Sequence, residues 1–385
     1  MSTMRAAVLE GVDQIVVRDV PRVDPSPTEV LVRVQAVGLC GTDIHIVQGH
    51  GNYNTDALGR QIPLSVQPQI LGHEIAGVVA EVGKGVSDLA VGDRVIIDQG
   101  RTCVSDALVP VCEYCVSGDS HQCEHYRELG ITGLPGGFAE YVTVPATNAV
   151  PLQSTLPAEQ AAMVEPFGCV LHSMDLVQRS GARFSLHSSD ATRRIRSVLI
   201  AGGGPAGLLF LQHLRSHGEF DGVVYLSEPN AVKRTLAERW GAVAIDPTAV
   251  NLVECIKEQT LGRGVELLIE AAGSGAVFRD MPGLIRKQAT VLLYGHGHTG
   301  VELGVLNQVQ FREPTFVSPA GASGGHDSDG RPLTYLHALQ LLEDGTIDVA
   351  PLITHRYRAL DELARAFGGD HRRADYVKGV LLLGG

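Results

Sequence analysis

Three residues that lie far apart in the first half of the chain, Cys40, His73 and Glu165, offer the sulfur, nitrogen and oxygen atoms by which proteins bind zinc. A catalytic zinc ion is held by about three such side chains and keeps one coordination position open. Each residue alone has an ordinary explanation, because a single Cys is often a small buried apolar residue and a single His a hydrogen-bonded polar one. Together they predict an open metal site. Thr42 and His45 add a hydroxyl and an imidazole within six residues of the thiol.

A second candidate site consists of four cysteines that lie close together in the sequence, namely Cys103, Cys112, Cys115 and Cys123. The N-terminal residues lack the basic stretch and apolar run of a signal peptide, so we expect a cytoplasmic protein in which clustered thiols bind metal rather than form disulfides. Four thiolates leave no open position on the ion, which predicts a structural zinc. The alternatives are a metal-free lobe of reduced cysteines and a site completed by another residue, such as Asp106.

A glycine-rich segment in the second half of the chain has the spacing of a dinucleotide-binding turn. Ser197–Ala201 has an apolar strand pattern, and the following Gly202–Gly207 reads G-G-G-P-A-G, which matches G-x-G-x-x-G at the start of a helix. The helix N-terminus would bind the pyrophosphate. Glu228 ends the next strand pattern, at the distance where an acidic side chain binds the ribose hydroxyls. The alternative is an ordinary glycine-rich turn.

Glu228 also predicts which nicotinamide cofactor is used. A carboxylate repels the 2′-phosphate of NADP, so NAD is favoured, although Lys233 and Arg234 follow closely. The residues predicted to contact the cofactor are Gly202, Gly204, Pro205, Ala206, Gly207, Glu228 and Arg234. Further along, His296 and His298 either contact the cofactor or lie in a surface loop.

The elements that must position these residues change in character near residue 165. Residues 1–165 show short β-rich runs between Gly and Pro turns and no strong helical periodicity, which predicts a mostly β, barrel-like domain. Strand and helix patterns then alternate, beginning with a strand at 197–201 and a helix at 204–217, which predicts a doubly wound parallel sheet. A final apolar strand at 379–383 is expected to return to the first domain. The predicted domains are 1–168 with 317–385, and 169–316.

The composition narrows the class of protein. With 31 basic and 43 acidic residues the net charge is −12, which disfavours a nucleic-acid binder. An apolar fraction of 44% and a charged fraction of 19% exclude a disordered acidic chain. No apolar run approaches the roughly 18–20 residues of a membrane span. We therefore expect a globular protein whose partner is a small molecule.

Five motifs, in this order and spacing, carry a resemblance to a known family. They are G-L-C-G-T-D-I-H from Gly38, G-H-E-I-A-G-V-V-A-E-V-G from Gly72, V-G-D-R-V from Val91, F-A-E-Y-V from Phe138 and G-G-G-P-A-G from Gly202. The chain resembles the zinc-dependent medium-chain dehydrogenase/reductase family over essentially its whole length. The resemblance implies an α/β fold with a GroES-like β-rich catalytic domain and a Rossmann domain that binds NAD.

The resemblance also implies roles for the candidate metal ligands. The family's catalytic zinc ligands carry over onto Cys40 and His73. The E-P-x-x-x-x-x-H stretch that begins at Glu165 resembles the sorbitol/polyol branch, which makes Glu165 the third ligand. The alcohol dehydrogenase branch uses a second Cys, so Cys169 is the alternative. Glu74 would be a nearby carboxylate that can approach the zinc or orient its ligands.

The four-cysteine cluster departs from the family at one point. The family separates these cysteines by two, two and seven residues, whereas here the first gap, between Cys103 and Cys112, is eight residues long. The departure leaves the role of Cys103 open.

For the catalytic site, the family's proton relay maps onto Thr42 and His45. Zinc lowers the pKa of a bound water to about 7, and an alcohol should respond likewise, which favours hydride transfer to nicotinamide.

The residues and the resemblance together predict a cytoplasmic, NAD-linked zinc dehydrogenase of secondary alcohols, assembled as a homodimer or homotetramer. The expected substrates are polyols, sugars, cyclitols or vicinal diols. An amino alcohol such as threonine is the alternative substrate. Two alternatives of another kind are a non-catalytic nucleotide-binding homologue and a zinc-free reductase of enones.

Overall fold

The structure, a computed structural model, describes residues 2–298 and 300–384. The described residues form two compact units. The first comprises those of 1–168, 321–345 and 349–385, and the second those of 169–320 and 346–348. The boundaries expected from the sequence fall after residues 168 and 316, whereas the second unit extends to residue 320 and also includes 346–348.

The strands and helices are taken in chain order. The strands are β1 (Thr3–Gly11), β2 (Gln14–Pro21), β3 (Glu29–Leu39), β4 (Glu74–Val82), β5 (Arg94–Ile97), β6 (Gly100–Arg101), β7 (Arg127–Glu128), β8 (Tyr141–Pro145), β9 (Ala149–Pro151), β10 (Ser197–Ala201), β11 (Val223–Ser227), β12 (Val243–Ile245), β13 (Val265–Glu270), β14 (Ile285–Leu293), β15 (Thr315–Val317), β16 (Ile353–Tyr357) and β17 (Lys378–Leu382). The helices are α1 (Gly41–Val47), α2 (Glu113–Ser117), α3 (Ala158–Ala161), α4 (Val164–Arg179), α5 (Pro205–Gln212), α6 (Ala231–Arg239), α7 (Leu252–Gln259), α8 (Gly275–Leu284), α9 (Val305–Gln310), α10 (Leu333–Glu343) and α11 (Leu363–Gly368).

The first unit is built around a mostly antiparallel sheet in the order β16-β17-β3-β4-β5-β9, with β8 also paired to β3. Its β-branched residues pack into one apolar core, as β-branched side chains fit the pleated surface of a sheet. The register pairs Gly38 of β3 with Glu74 of β4, and Leu39 of β3 with Gly379 of β17. Cys40, which follows β3, and His73, which precedes β4, are therefore brought to the same end of the sheet.

The second unit is a parallel sheet in the order β12-β11-β10-β13-β14-β15, with helices between the strands. This is the predicted doubly wound Rossmann architecture, and together with the GroES-like unit it confirms the predicted fold class. Ala201 of β10 pairs with Ser227 of β11 and with Glu270 of β13. Since the carboxyl ends of parallel strands share one edge, the glycine-rich turn, Glu228 and Glu270 lie along that edge, where such folds bind ligands.

Two elements differ from the sequence expectations. The short helix α1 (Gly41–Val47) was not predicted, because it is only seven residues long and follows directly on a β-strand. The helix predicted at 204–217 is regular only over Pro205–Gln212 and continues as a π-helical turn over His213–His217. Among the described residues, every helix is too short or too polar to span a membrane.

Candidate metal centres and cofactor cleft

The N-terminus of α1 fixes the first candidate metal ligand. The Cys40 backbone N–H donates to Asp43 Oδ2 at 2.9 Å, which closes the first turn of the helix around a fully buried carboxylate. The Gly72 N–H donates to Asp43 Oδ1 at 3.2 Å, and the same oxygen lies 3.5 Å from His73 Nδ1. Asp43 thus joins the two chain segments and orients the His73 ring, as carboxylates commonly do for a ligating imidazole.

The ligand atoms of Cys40, His73 and Glu74 lie within 4.8 Å of one another. His73 and Glu74 are buried and Cys40 is partly exposed. In the described structure, His73 Nδ1 and Glu74 Oε2 are buried atoms that accept or donate no hydrogen bond. Gly38 leaves the space for that carboxylate, since a Cβ at Gly38 would lie 1.8 Å from Glu74 Oε2. Sulfur, nitrogen and oxygen donors collected in one buried place suit a zinc ion.

Burial lowers the pKa of His73, but the nearby charges of Asp43 and Cys40 raise it more, so that the pKa lies well above the ordinary 6.5. A ligating imidazole must be neutral. Binding of a cation here therefore displaces a proton from His73, which makes metal affinity fall as the solution becomes more acidic.

Glu165, the predicted third ligand, lies outside the cluster of Cys40, His73 and Glu74. It is buried at the start of α4, and its Oε1 accepts a hydrogen bond from Gln99 Nε2 at 3.0 Å. The alternative, Cys169, follows on the same helix but belongs to the second unit.

Lys378, at the start of β17, was missed by the sequence analysis. Its ammonium is buried and lies 2.5 Å from Glu74 Oε1. Burial lowers its pKa, but the charges of Glu74, Cys40 and Glu165 raise it above the ordinary 10.5. The charge of Glu165 therefore raises the pKa of the same ammonium that pairs with Glu74. A lysine inside the otherwise apolar run Val377–Leu383 is the signal that could have revealed it.

The predicted relay residues lie on α1. Thr42 Oγ1 is 3.7 Å from Cys40 Sγ, so a hydroxyl borders the candidate metal site. The His45 ring is half-buried and lies near the ring of His50, with their centroids 6.1 Å apart. Both predicted relay groups are thus on the element that positions Cys40.

The second cluster brings together all four predicted cysteines. The sulfur atoms of Cys103, Cys112, Cys115 and Cys123 lie within 4.8 Å of one another. The eight-residue gap is accommodated by a turn in which the Leu108 N–H donates to Cys103 O at 2.8 Å. Asp106, the alternative ligand, forms an ion pair with Arg101 instead.

Backbone groups stabilise negative charge on this cluster. The Cys103 N–H points at Cys123 Sγ at 3.2 Å, and the Cys112 N–H at Cys103 Sγ at 3.4 Å. Backbone N–H donation, first from Cys115, lowers the pKa of the Cys112 thiol to about 6. Burial raises the pKa of the Cys115 and Cys123 thiols, so both would deprotonate most readily with a cation beside them. Four sulfurs gathered in one place fit a closed, tetrahedral zinc site.

The glycine-rich turn borders a cavity of about 690 Å³ in the second unit. Gly202 has a φ of +109°, and a Cβ on Gly207 would lie 1.9 Å from Gly202 O, so both positions require glycine. A Cβ on Gly204 would meet no atom within 4 Å, which shows that its backbone faces open space. These are the turn, packing and approach positions of a dinucleotide fingerprint. Pro205 and Ala206 begin α5 directly behind this turn.

Glu228 lines the same cavity and is almost fully buried. Its carboxylate accepts from the Gly203 N–H at 2.8 Å and from the Asn230 N–H at 2.9 Å, which fixes it beside the turn. Arg234 donates to Glu228 O at 2.9 Å and pairs with Asp246 at 3.0 Å. The guanidinium therefore braces the backbone that carries Glu228. Lys233 lines the cavity.

Glu270 is a second buried carboxylate at this edge, and the sequence analysis did not identify it. One oxygen accepts from the Ala272 and Gly273 N–H groups at 3.0 and 2.9 Å. The other lies 2.7 Å from His298 Nε2. His298 thus ties the segment after β14 to the end of β13.

Two family models match the chain. Residues 26–154 match the alcohol dehydrogenase GroES-like domain, and residues 205–338 match the zinc-binding dehydrogenase model. The matches cover both units of the structure.

Known proteins resemble this chain over nearly its whole length. An L-threonine 3-dehydrogenase of Pyrococcus abyssi is 32% identical, with 92% of this chain and 90% of that protein covered. A sorbitol dehydrogenase of Halalkalibacterium halodurans is 28% identical, with 90% of both covered. A solved zinc-binding dehydrogenase from Sinorhizobium meliloti 1021, bound to NADP, is 32% identical and has a TM-score of 0.79, covering 99% of this chain and 100% of that one.

Proposed function

Because the chain belongs to the zinc-dependent medium-chain dehydrogenase/reductase family, we propose that it oxidises the secondary alcohol of a polyol, sugar, cyclitol or vicinal diol with NAD as hydride acceptor. The observation that carries the proposal is that the ligand atoms of the Cys40 thiol, the His73 imidazole and the Glu74 carboxylate lie within 4.8 Å of one another. A protein that only binds nucleotides has no need for such a set of donors.

The sulfur, nitrogen and oxygen donors of Cys40, His73 and Glu74, together with a buried Glu74 Oε2 that makes no hydrogen bond, fit a zinc ion. In the proposed site, Cys40, His73 and Glu165 would hold the metal, while one oxygen of Glu74 pairs with Lys378. Zinc there would supply a Lewis acid that lowers the pKa of an alcohol hydroxyl.

The chain's own residues position the metal ligands and move the proton. Asp43 accepts from backbone groups on both sides of the site and holds the His73 ring in a ligating orientation. Thr42, beside Cys40, is placed to accept the proton of the substrate hydroxyl. His45, on the same helix and partly exposed, is placed to pass the proton towards solvent.

The cofactor is proposed to bind along the edge formed by the glycine-rich turn, with the pyrophosphate at the N-terminus of α5. Glu228, fixed by two backbone N–H groups, presents its carboxylate to the ribose hydroxyls. The same charge disfavours a 2′-phosphate. The solved relative from Sinorhizobium meliloti 1021 is bound to NADP, so the choice of cofactor needs a direct test.

Glu228→Ala is expected to raise the KM for NAD about tenfold, because hydrogen bonds to a charged group are worth about 1.5–3 kcal/mol. The KM for NADP should rise less or fall, since a repulsive charge is removed. Initial rates with both cofactors measure the change. Glu238→Ala, on the exposed face of α6, is the matched control and should leave both values unchanged. A parent protein that uses NADP as well as NAD would contradict the assignment.

The substrate class is tested by following reduced nicotinamide with zinc-loaded protein and a panel of polyols, cyclitols, vicinal diols and amino alcohols. We expect the highest kcat/KM among the polyhydroxylated compounds. L-Threonine is the second candidate, because relatives at 32% identity are L-threonine 3-dehydrogenases. A strong preference for threonine would replace the proposed substrate class. No turnover of any alcohol, or turnover unaffected by removal of zinc, would contradict the proposed chemistry.

A homodimer or homotetramer is part of the proposal. Large apolar side chains are exposed within residues 303–316 of the second unit, including Leu303 at 78%, Phe311 at 84% and Phe316 at 42%, the last on the edge strand β15. A contiguous apolar patch on a protein surface commonly marks a contact between subunits.

A further inference from the structure

Three buried side chains from distant parts of the first unit form a hydrogen-bonded chain that ends on Glu165. Gln99 follows β5 and is 1% exposed, and Tyr335 on α10 is fully buried. Gln99 Nε2 donates to Glu165 Oε1 at 3.0 Å, and the Tyr335 hydroxyl donates to Gln99 Oε1. The three residues are separated by 66 and 236 positions in the sequence, so only the fold brings them together.

The chemistry of the three groups determines which of them donates in each hydrogen bond. An ionised carboxylate can only accept hydrogen bonds, so the NH2 group of Gln99 must face Glu165. The amide oxygen then faces Tyr335, whose hydroxyl must donate. A flipped amide would place two acceptors against each other at Glu165, which is costly for buried groups. One oxygen of Glu165 is therefore held in place by the Gln99 amide, which is itself held by Tyr335.

We propose that Gln99 and Tyr335 are positioning residues that hold the Glu165 carboxylate oriented as a metal ligand. The inference rests on the proposed function, because it assumes that Glu165 binds the zinc. Hydrogen-bond partners of metal ligands commonly change metal affinity 10- to 100-fold when removed, by loosening the ligand rather than by touching the ion.

The experiment compares Gln99→Met, which removes the amide at similar volume, with Tyr335→Phe, which removes only the hydroxyl. Zinc retention is measured by competition with a chelator, and the environment of the metal by the visible spectrum of the cobalt-substituted protein. Tyr357→Phe is the matched control, since Tyr357 is another buried tyrosine of the same unit whose hydroxyl contacts Asp370 at 3.3 Å. We expect zinc to be lost about tenfold more readily from Gln99→Met and less markedly so from Tyr335→Phe, with a changed cobalt spectrum in both.

The double variant separates positioning from mere packing. If both residues act through Glu165, Gln99→Met with Tyr335→Phe loses zinc no more readily than Gln99→Met alone. Parental zinc retention and an unchanged cobalt spectrum in both single variants would overturn the inference. Additive losses in melting temperature with unchanged metal binding would overturn it as well.

Glu165→Gln distinguishes failure of this inference from failure of the proposed site. If Glu165→Gln weakens zinc retention and Gln99→Met does not, only the positioning role is wrong. If Glu165→Gln retains zinc and turnover like the parent, Glu165 is not a ligand and the proposed ligand set fails with it. Tyr335→Phe, which removes a single atom, keeps the test valid where Gln99→Met fails to fold.

Discussion

Alanine in place of Cys40 or His73 is expected to reduce kcat at least about 10³-fold, because each change removes a ligand from an ion that contributes several kcal/mol to the transition state. The fold should survive, since both residues lie at the end of a sheet whose core is made by other side chains. The loss is measured as initial rates with the best substrate of the panel. Zinc content provides a second readout, with two ions per chain in the parent and one in each variant.

Cys255→Ala is the matched control for the thiol. Cys255 lies on α7, is partly exposed and belongs to neither metal cluster. The Cys255→Ala variant should keep parental turnover and both zinc ions. Near-parental turnover in Cys40→Ala or His73→Ala would contradict the proposed catalytic site. Cys169→Ala adds a test of the alternative third ligand, because loss of one zinc ion from that variant would favour Cys169 over Glu165.

Residue types, together with the family resemblance, singled out the groups that meet through adjacent strands. Cys40 and His73 flank β3 and β4, so they come together once those two strands pair. The glycine-rich turn and Glu228 lie within one βαβ unit for the same reason. Such contacts follow once neighbouring strands pair in one sheet, even where a helix and a long loop connect them, as between β3 and β4.

The groups that the sequence analysis missed are those whose partners are distant. Lys378 pairs with Glu74 across 304 positions, and Tyr335 reaches Gln99 across 236. Neither Gln99 nor Tyr335 belongs to a recognisable motif, and a single tyrosine in an apolar helix is ordinarily a core residue. Cys103 is the opposite case. Its spacing departs from that of the family, so its role as a metal ligand stayed undecided from the sequence, and the fold brings its sulfur into the cluster.

Lys378→Met is expected to lower the free energy of unfolding by about 3–5 kcal/mol, because it leaves the Glu74 carboxylate buried without its cation. Glu74 is fully buried and Lys378 is 3% exposed, so water cannot replace the lost partner. Denaturant unfolding of the zinc-loaded protein measures the change. Since the folded pKa of Lys378 lies above its ordinary 10.5, its contribution to stability is complete below that pH and is lost only as the pH rises through the folded value. The loss of unfolding free energy in Lys378→Met should therefore be complete at neutral pH.

A double-mutant cycle shows whether the loss belongs to the ion pair. Glu74→Gln removes the stranded charge, so Lys378→Met with Glu74→Gln should recover most of the stability, as neutral groups of similar volume often replace a buried pair without loss. Lys84→Met, at an exposed lysine of the same unit, should change the free energy of unfolding by no more than about 0.5 kcal/mol. A double variant as unstable as Lys378→Met alone would show that the aliphatic packing of Lys378, and not its charge, stabilises this end of the sheet.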